Sequence, residues 1–431
     1  MFFFAEWDDM AELDQTEPFK SKKLNTEWFN EVMQIKESFE LPEKLMQILL
    51  DPERRNELFE KFEYSMDLST DWFNEYFQES HSNREKMKQD FTPHELAALL
   101  PQMTDSYKCV ADICSGTGGL TIAAWNKQPD AYYYCAELSN RAFPLLLFNL
   151  AIRNIKGVAV NTDILTGEVF AAFTLTPGKK FSNIKAAEST ESDRKFDFVI
   201  MNPPYSLKHQ WKTTEADSRF NEYPYPPSAF SDYAFVIHGL SIMEKGGTLC
   251  AILPHGVLFR GRQEEEIRQK LIERQMLKTV IGLPDELFLN TTIPVCVMVL
   301  HHSPDVLIVD ASKCFTKAGG QKQLERKHLE KIITTVKLRE NVCRLSHIAD
   351  VEEIISNDFN LNISRYVDTY EPPSKIDILG VVRDYCETDR QIRKAEADLM
   401  DMLLQMEAAG EEKVELNKII EAWKGMCNGF I

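Results

Sequence analysis

The segment FDFVIMNPPY, residues 196–205, joins an apolar run to a stiff polar end. Pro203 and Pro204 remove two backbone donors and hold the chain extended, so the segment does not read as an ordinary hairpin. The side-chain oxygen of Asn202 and the carbonyl oxygen of Pro203 can then accept both hydrogens of one planar amino group. Two such acceptors would draw the amine toward tetrahedral geometry and free its lone pair. Tyr205 adds a face on which a base can stack.

A glycine-rich bend follows another apolar run, in ADICSGTGG at residues 111–119. Glycines at the start of a helix let backbone amides approach a ligand closely. The bend offers no lysine for phosphates, which excludes a P-loop. Glu137 ends the next apolar run, about 20 residues on, where a carboxylate is typical of ribose recognition. Taken alone, a residue such as Glu137 is more often a solvated strand end. With Asp163 ending the third run, the set predicts a nucleoside-type site.

Seven apolar runs alternate with helical stretches from residue 91 onward, and this alternation predicts a doubly wound, parallel α/β sheet. The polar motifs stand at the carboxyl ends of its strands, side by side. Little chain separates the last two runs, which predicts an antiparallel pair at the sheet edge. The predicted strands are 108–114, 131–138, 157–164, 196–201, 247–253, 277–283 and 295–300, and the predicted helices are 119–128, 139–154, 230–245 and 261–275.

Helical periodicity flanks the sheet region on both sides. Apolar residues from Trp28 to Phe39 recur at helical spacing in a segment rich in acids, which predicts that this set, Phe39 included, faces inward. EPPSKID at 371–377 reads as a linker, and Ile392 and Leu399 then lie on one face of a helical tail. That face docks either on the chain's own sheet domain or on a partner chain. The predicted domains are 1–90 (acidic, helical), 91–371 (catalytic) and 372–431 (tail).

Composition is that of an ordinary soluble protein, with 44% hydrophobic and 27% charged residues in a chain of 431. No apolar run is long enough to span a bilayer, and the acidic start lacks the positive charge of an export signal. Nine scattered cysteines without a CxxC pair predict reduced thiols in a cytoplasmic protein. The net charge is −18, and residues 1–90 carry −11 of it, which disfavours wide nucleic-acid contacts by this segment.

Further segments follow in a fixed order: DFTPHELAALL (90–100), AILPHGVLF (251–259), VIGLPDELFLNTTIPVCVMVL (280–300) and FNLNISRYVDTYE (359–371). With the glycine bend and NPPY, they resemble the modification (M) subunits of type I restriction–modification systems. That family is the N6-adenine DNA methyltransferases, whose Rossmann-like sheet binds S-adenosylmethionine. The resemblance covers about 91–371. It departs at Cys114, where the family usually has proline, and the N-terminal segment is shorter than is usual.

The resemblance implies a role for each motif position. The methionine part of S-adenosylmethionine would lie among Thr92, Asp112, Ser115, Gly116, Thr117 and Gly118. The ribose would bind Glu137, and the adenine would contact Asp163 and Ile164. The target base would be held by Asn202, Pro203, Pro204 and Tyr205, with Phe288 as a candidate second stacking face. No metal is expected, because no clustered His/Cys/Asp ligand set is evident.

The implied substrate is double-stranded DNA, and a base inside a duplex must be flipped out to reach such a site. A long polar stretch, 206–230, follows the NPPY segment and offers phosphate contacts, although loop cations are often merely solvated. The candidates are Lys208, His209, Lys212 and Arg219, with Arg260 and Arg262 further along. The resemblance also implies a specificity (S) subunit that reads DNA for two M subunits, and it leaves a restriction (R) subunit open.

Three other functions fit some of these features. The NPPY geometry equally suits the side-chain amide of glutamine, so a protein glutamine N5-methyltransferase is an alternative. It is disfavoured by 280–300 and 359–371, which resemble the DNA-modifying family. A solitary adenine methylase without a nuclease fits the same motifs. A non-catalytic scaffold is disfavoured because it has no use for the acceptors at Asn202 and Pro203.

Overall fold

A computed structural model describes most of the chain, and within it the chain divides into two compact units, Met1–Thr369 and Tyr370–Ile431. The described residues are 24–74, 76, 92–191, 193–211, 217–288, 292–318, 321–370 and 377–427. The predicted domain boundaries at residues 90 and 371 fall outside these ranges. The three-domain division therefore stays a prediction.

Within the described residues, eleven strands form one mixed sheet with the order β13-β10-β8-β9-β7-β6-β1-β2-β3-β4-β5. A separate pair is made by two short strands, β11 and β12. The strands are β1 Cys109–Asp112, β2 Tyr132–Glu137, β3 Lys156–Thr162, β4 Val169–Thr176, β5 Asn183–Ala186, β6 Phe196–Met201, β7 Met243–Pro254, β8 Leu277–Gly282, β9 Val295–Leu300, β10 Val306–Asp310, β11 Thr316–Ala318, β12 Gln321–Gln323 and β13 Ser346–Ala349.

The centre of the sheet is parallel, with β7, β6, β1, β2 and β3 side by side. Strand β9 runs antiparallel between β7 and β8. The predicted antiparallel pairing of the last two strands is thus confirmed, but their predicted place at the sheet edge is wrong. The apolar strand β10 pairs in parallel with β8, and β13 pairs with β10, so these two strands cover that edge instead.

Successive residues along each central strand point to opposite faces of the sheet, and both faces are covered by helices. On β6, Phe198 belongs to the cluster packed under the helix Phe143–Ile152, whereas Val199 belongs to the cluster under the helix Asp232–Ile242. The first face also carries Thr26–Met33, Leu41–Leu50, Pro52–Ser65, His94–Leu99, Gly119–Lys127 and Arg326–Leu338, and the second carries Gln263–Glu273 and Val351–Ser356. The predicted doubly wound α/β sheet is confirmed.

The N-terminal helices share one hydrophobic core with the sheet. The ring of Phe62 lies 5.0 Å from that of Phe148, which belongs to a helix of the sheet domain. Such edge-to-face aromatic contacts stabilise a junction beyond the area that they bury. The predicted inward placement of Phe39 is wrong, because the first helix ends at Met33 and leaves this side chain 70% exposed.

The helix Asp232–Ile242 lies very close to the sheet. A Cβ atom on Gly239 would come within 2.6 Å of both Met201 Cε and Leu249 Cδ1. Packed interiors leave no room for such an approach, so glycine is what lets this helix sit against β6 and β7. Met201 is the residue directly before Asn202, which means that the contact lies immediately behind the NPPY segment.

The second unit consists of two helices in contact, Ile378–Gln405 and Glu411–Cys427. The longer helix has no buried residue. Its predicted apolar face is exposed, with 53% of Ile392, 38% of Leu399 and 67% of Met402 accessible. Among the described residues of the whole chain, no helix is both long and apolar enough to cross a membrane.

Candidate active site

A cavity of about 290 Å³ opens where β1, β2, β3 and β6 end. The carboxyl ends of parallel strands form one edge, and the loops that follow them make the walls of a crevice there. Among the predicted site residues, the cavity is lined by Thr92, Ser115, Gly116, Glu137, Asp163, Ile164, Asn202, Pro203, Pro204, Tyr205 and Lys208. The structure therefore brings together motifs that lie more than a hundred residues apart in the chain, while their roles toward a ligand stay predictions.

The glycine bend has the backbone conformation that its sequence predicts. Gly116 and Gly118 have φ angles of 57° and 102°, in the left-handed region that favours glycine. The bend is closed by the Gly118 amide, which donates to the Ser115 carbonyl at 2.8 Å. The helix Gly119–Lys127 begins directly after it. Ser115 and Gly116 consequently line the cavity close to the start of a helix.

Three predicted cofactor residues are not part of the cavity lining: Asp112, Thr117 and Gly118. Asp112 is fully buried and accepts a hydrogen bond from the Thr121 hydroxyl at 2.7 Å. Burial, with a smaller contribution from the charge of Glu137, raises the pKa of Asp112 to about 7. Asp112 thus supports the bend from its buried side.

Two acidic side chains at the ends of β2 and β3, Glu137 and Asp163, line the cavity. The Glu137 carboxylate accepts from the Gly116 amide at 2.8 Å and from the Ser139 amide at 2.7 Å. These bonds tie the end of β2 to the glycine bend. The Asp163 carboxylate accepts from the Leu165 amide at 2.8 Å and so fixes the turn that follows β3.

The Asn202 side chain is held in one orientation by two hydrogen bonds. Its Nδ2 donates to Thr92 Oγ1 at 2.9 Å, and its Oδ1 accepts from the Tyr205 hydroxyl at 2.7 Å. The pairing with Thr92 joins two segments that are distant in sequence. The amide oxygen is thereby directed to the same side as the Tyr205 ring, which also lines the cavity.

Phe288 lies against Tyr205, with ring centroids 6.1 Å apart and planes at 87°. The Phe288 ring is buried and is not part of the cavity lining. Two rings that enclose a flat base present parallel faces to it, whereas these two meet edge to face. A second stacking face at Phe288 would require one ring to turn, and its role stays a prediction.

Arg219 has a different environment from the one predicted for a phosphate contact. Its guanidinium pairs with Asp217 at 2.6 Å and donates to the carbonyl oxygens of Ile164 at 2.6 Å and Leu165 at 2.9 Å. The pairing partner lies only two residues away and is visible in the sequence as Asp-Ser-Arg. Arg219 therefore fastens the polar stretch after NPPY to the turn that follows β3.

The other candidate cations differ in their placement. Lys208 is exposed at the cavity rim, and Lys212 lies outside the described residues. His209 lines the cavity, and burial lowers its pKa. Arg260 is paired with the buried Asp232 at 3.0 Å, whereas Arg262 is exposed. Phosphate contacts by these residues stay predictions.

The cavity is also lined by two polar residues of the N-terminal segment that were not predicted from the sequence, Asp71 and Asn74. Asp71 accepts from the Thr117 hydroxyl at 2.5 Å, and Asn74 Nδ2 donates to the Thr92 carbonyl at 2.9 Å. They belong to the acidic N-terminal segment, and no local motif marks them. Only the packing of that segment on the sheet brings them to the cavity.

The parallel sheet, the glycine bend and the polar ends of β2, β3 and β6 define the methyltransferase fold. Within that class, the chain belongs to the N-6 DNA methylase family, whose sequence pattern matches residues 65–374. The resemblance identified from the motifs is thereby confirmed.

The chain is similar to methylase subunits of type I restriction enzymes. The chain is 28% identical over 333 residues to the MjaVII methylase subunit, a type I restriction enzyme subunit of Methanocaldococcus jannaschii, covering 73% of this chain and 54% of that protein. It is 26% identical to the MpnII methylase subunit of Mycoplasma pneumoniae, covering 67% of this chain and 54% of that protein. The chain thus spans about half the length of these two relatives.

Among solved structures, the chain resembles the type I restriction–modification methyltransferase subunit of Streptococcus thermophilus. The TM-score is 0.59 at 30% identity, and the match covers 76% of this chain and 67% of that one. This match supports both the fold and the family.

Proposed function

We propose that this chain transfers a methyl group from S-adenosylmethionine to the N6 amine of adenine in double-stranded DNA. The observation that carries the proposal is the fixed orientation of Asn202, whose amide oxygen lies beside Tyr205 in the same cavity as the glycine bend. Family membership supplies the substrate class, since the matching family is that of N-6 DNA methylases.

The residues present fit the proposed cofactor. The cavity volume, about 290 Å³, is near the lower end of the range of small-molecule sites. A carboxylate has about four acceptor positions, so Glu137 can accept ribose hydroxyls while it holds the bend. Asp163 and Ile164 would contact the adenine, and the backbone of Ser115 and Gly116 would face the methionine part. When bound, this cofactor supplies an electrophilic methyl group on a sulfonium.

The chain's own contribution to the reaction is to orient and activate the amine. The Asn202 amide oxygen and the Pro203 carbonyl oxygen would accept the two amine hydrogens, which weakens the conjugation of nitrogen with the ring. Thr92 keeps the amide from rotating, because it accepts from Asn202 Nδ2. Preorganised groups of this kind act mainly on the rate of the chemical step. Tyr205 would stack on the extrahelical base.

Methylation mapping tests the proposal directly. Adenine methylation is sequenced in DNA from the host, from a host lacking the gene, and from that host carrying either the gene or its Asn202→Ala variant. A modified adenine motif should be present only with the intact gene. Mass spectrometry of glutamine methylation on host proteins in the same four strains tests the alternative. Methylated glutamine without methylated adenine would overturn the proposal.

We also propose that the chain works with a specificity subunit and reads no DNA sequence alone. Support comes from the net charge of −18 and from the exposed apolar face of the second unit. Burial against partner helices would account for the spacing of Ile392, Leu399 and Met402. The named relatives are themselves subunits of type I restriction enzymes. Whether a restriction subunit joins the complex is a separate question that co-purification from the host answers.

A further inference from the structure

The N-terminal segment contributes Asp71 and Asn74 to the lining of the cavity. Its turn, 67–74, is fastened to the sheet domain by Arg153, a buried residue that follows the helix Phe143–Ile152. The Arg153 guanidinium donates to the carbonyl oxygens of Leu68 and Thr70, both at 2.7 Å. A guanidinium fixed at two carbonyls holds the turn as one rigid piece.

Asp71 is the acidic residue that this turn presents to the cavity. One carboxylate oxygen accepts from the Thr117 hydroxyl at 2.5 Å, and the other accepts from Asn149 Nδ2 at 2.9 Å and from the Phe73 amide at 3.1 Å. All three donors are neutral. No lysine or arginine pairs directly with Asp71 in the described part of the chain, and Arg153 acts on it only from a distance.

The Asp71 carboxylate lies next to the glycine bend. Thr117 belongs to the bend, and a Cβ on Gly119, the first residue of the following helix, would lie 3.6 Å from Asp71 Oδ2. Asn74, from the same turn, donates to the carbonyl of Thr92, whose hydroxyl orients Asn202. The turn therefore contacts both the bend and the segment behind the catalytic amide.

We infer that Asp71 binds the ammonium group of the cofactor's methionine part, so that the N-terminal segment completes the cofactor site. The inference rests on the proposed function. It follows from charge and contacts: Glu137 and Asp163 are assigned to the nucleoside, and Asp71 is the third acidic side chain of the lining, bonded to Thr117 of the glycine bend. A carboxylate with neutral donors only is a strong acceptor for an ammonium ion in a partly buried site. Burial raises the pKa of Asp71, and a bound cation would offset that cost.

Two ligands separate this role from simple support of the bend. S-adenosylhomocysteine carries the amino-acid part with its ammonium, whereas 5′-methylthioadenosine lacks the amino acid but keeps the nucleoside. Calorimetry on the full chain should show that Asp71→Asn weakens S-adenosylhomocysteine binding by about 10- to 100-fold, the loss expected for one charge-assisted hydrogen bond. The affinity for 5′-methylthioadenosine should change by no more than about twofold, since the nucleoside end is untouched.

Asp67→Asn is the matched control. Asp67 lies in the same turn and accepts from the Ser69 amide at 2.9 Å, but it does not line the cavity. It should bind both ligands like the parent. An equal loss for both ligands in Asp71→Asn, or no loss for either, would overturn the inference and show that Asp71 only supports the turn.

A wild-type measurement keeps the inference testable if Asp71→Asn does not fold. The deaminated analogue of S-adenosylhomocysteine lacks only the amino group, so it should bind the parent chain at least about tenfold more weakly. Equal binding of the two compounds would overturn the inference. If the parent binds 5′-methylthioadenosine and S-adenosylhomocysteine equally well, Asp71 has no role but the cofactor proposal stands. If the parent binds neither compound, the proposed function itself is wrong.

Discussion

Replacing Asn202 with alanine should slow methyl transfer by about 100- to 1000-fold, the loss expected when one preorganised hydrogen-bonding group is removed from a catalytic site. The loss should be partial, because the Pro203 carbonyl remains as the second acceptor. Cofactor binding should change little, since Glu137 and Asp163 lie on other strands. The variant also loses two hydrogen bonds, to Thr92 and from Tyr205, which lowers the free energy of unfolding by about 2 kcal/mol at most.

The assay is single-turnover transfer of a labelled methyl group to DNA, at saturating cofactor, by tagged chain purified with the subunits that it retains. Asn221→Ala, an exposed asparagine on the same polar stretch, is the matched control and should keep the parental rate. Calorimetry with S-adenosylhomocysteine reports cofactor binding separately. A parental transfer rate in Asn202→Ala would refute the role given to this amide. A lost rate accompanied by lost cofactor binding would instead indicate a collapsed site.

Further predictions concern the support of the site and the tail. Glu137→Gln should weaken S-adenosylhomocysteine binding about tenfold or more by calorimetry, since the new NH₂ group must face one of two backbone donors. Arg219→Gln should lower the free energy of unfolding by about 1–2 kcal/mol in chemical denaturation, because it removes donors to Ile164 and Leu165. Asp112→Asn should gain stability relative to the parent as pH rises from about 4 to about 7, and the gain should then level off. Between these values the unfolded parent loses its proton while the folded parent keeps it, because the Asp112 pKa is about 7 in the folded chain and well below that in the unfolded chain. An Asp112→Asn advantage in melting temperature that is independent of pH would contradict this reasoning. Truncation after residue 374 should leave a core that binds cofactor but no longer co-purifies with a specificity subunit; a truncated chain that still assembles would show that the tail is dispensable for docking.

Most of the sheet was predictable because its central strands are buried on both faces. Such strands read as continuous apolar runs, as in Val295–Leu300, where every residue is buried. Strands β4 and β5 were not predicted, because they lack such a run: Val169–Thr176 has mostly exposed or half-buried positions. The position of β9 inside the sheet also could not be predicted from the sequence. Pairing between neighbours in the chain follows from a short connection, but which strand then covers the edge depends on long-range packing.

The site was predictable to the extent that its residues stand at strand ends. Asn202 and Glu137 meet because parallel strands bring their carboxyl ends to one edge. Asp71 and Asn74 could not be found this way, because their approach depends on how an irregular turn packs against the sheet. The prediction that Arg219 contacts phosphate did not foresee its internal partners, because the sequence does not show which groups a loop cation contacts. Asp217, two residues away, did indicate a possible ion pair.

The close fit at Gly239 makes the catalytic tip sensitive to a residue that the ligands never touch. Any side chain there would force the side-chain ends of Met201 and Leu249 to move, and a branched or aromatic residue that these ends cannot make room for would shift Met201, the residue before Asn202. A screen for inactive mutants should therefore recover substitutions at Gly239, in the apolar helix Asp232–Ile242. Such variants should fold and bind cofactor, but their acceptors for the amine should be displaced. Judged by ligand contacts alone, such variants would be classed as neutral. The positions of this chain that do not tolerate substitution should accordingly include residues packed behind the sheet as well as those that line the cavity.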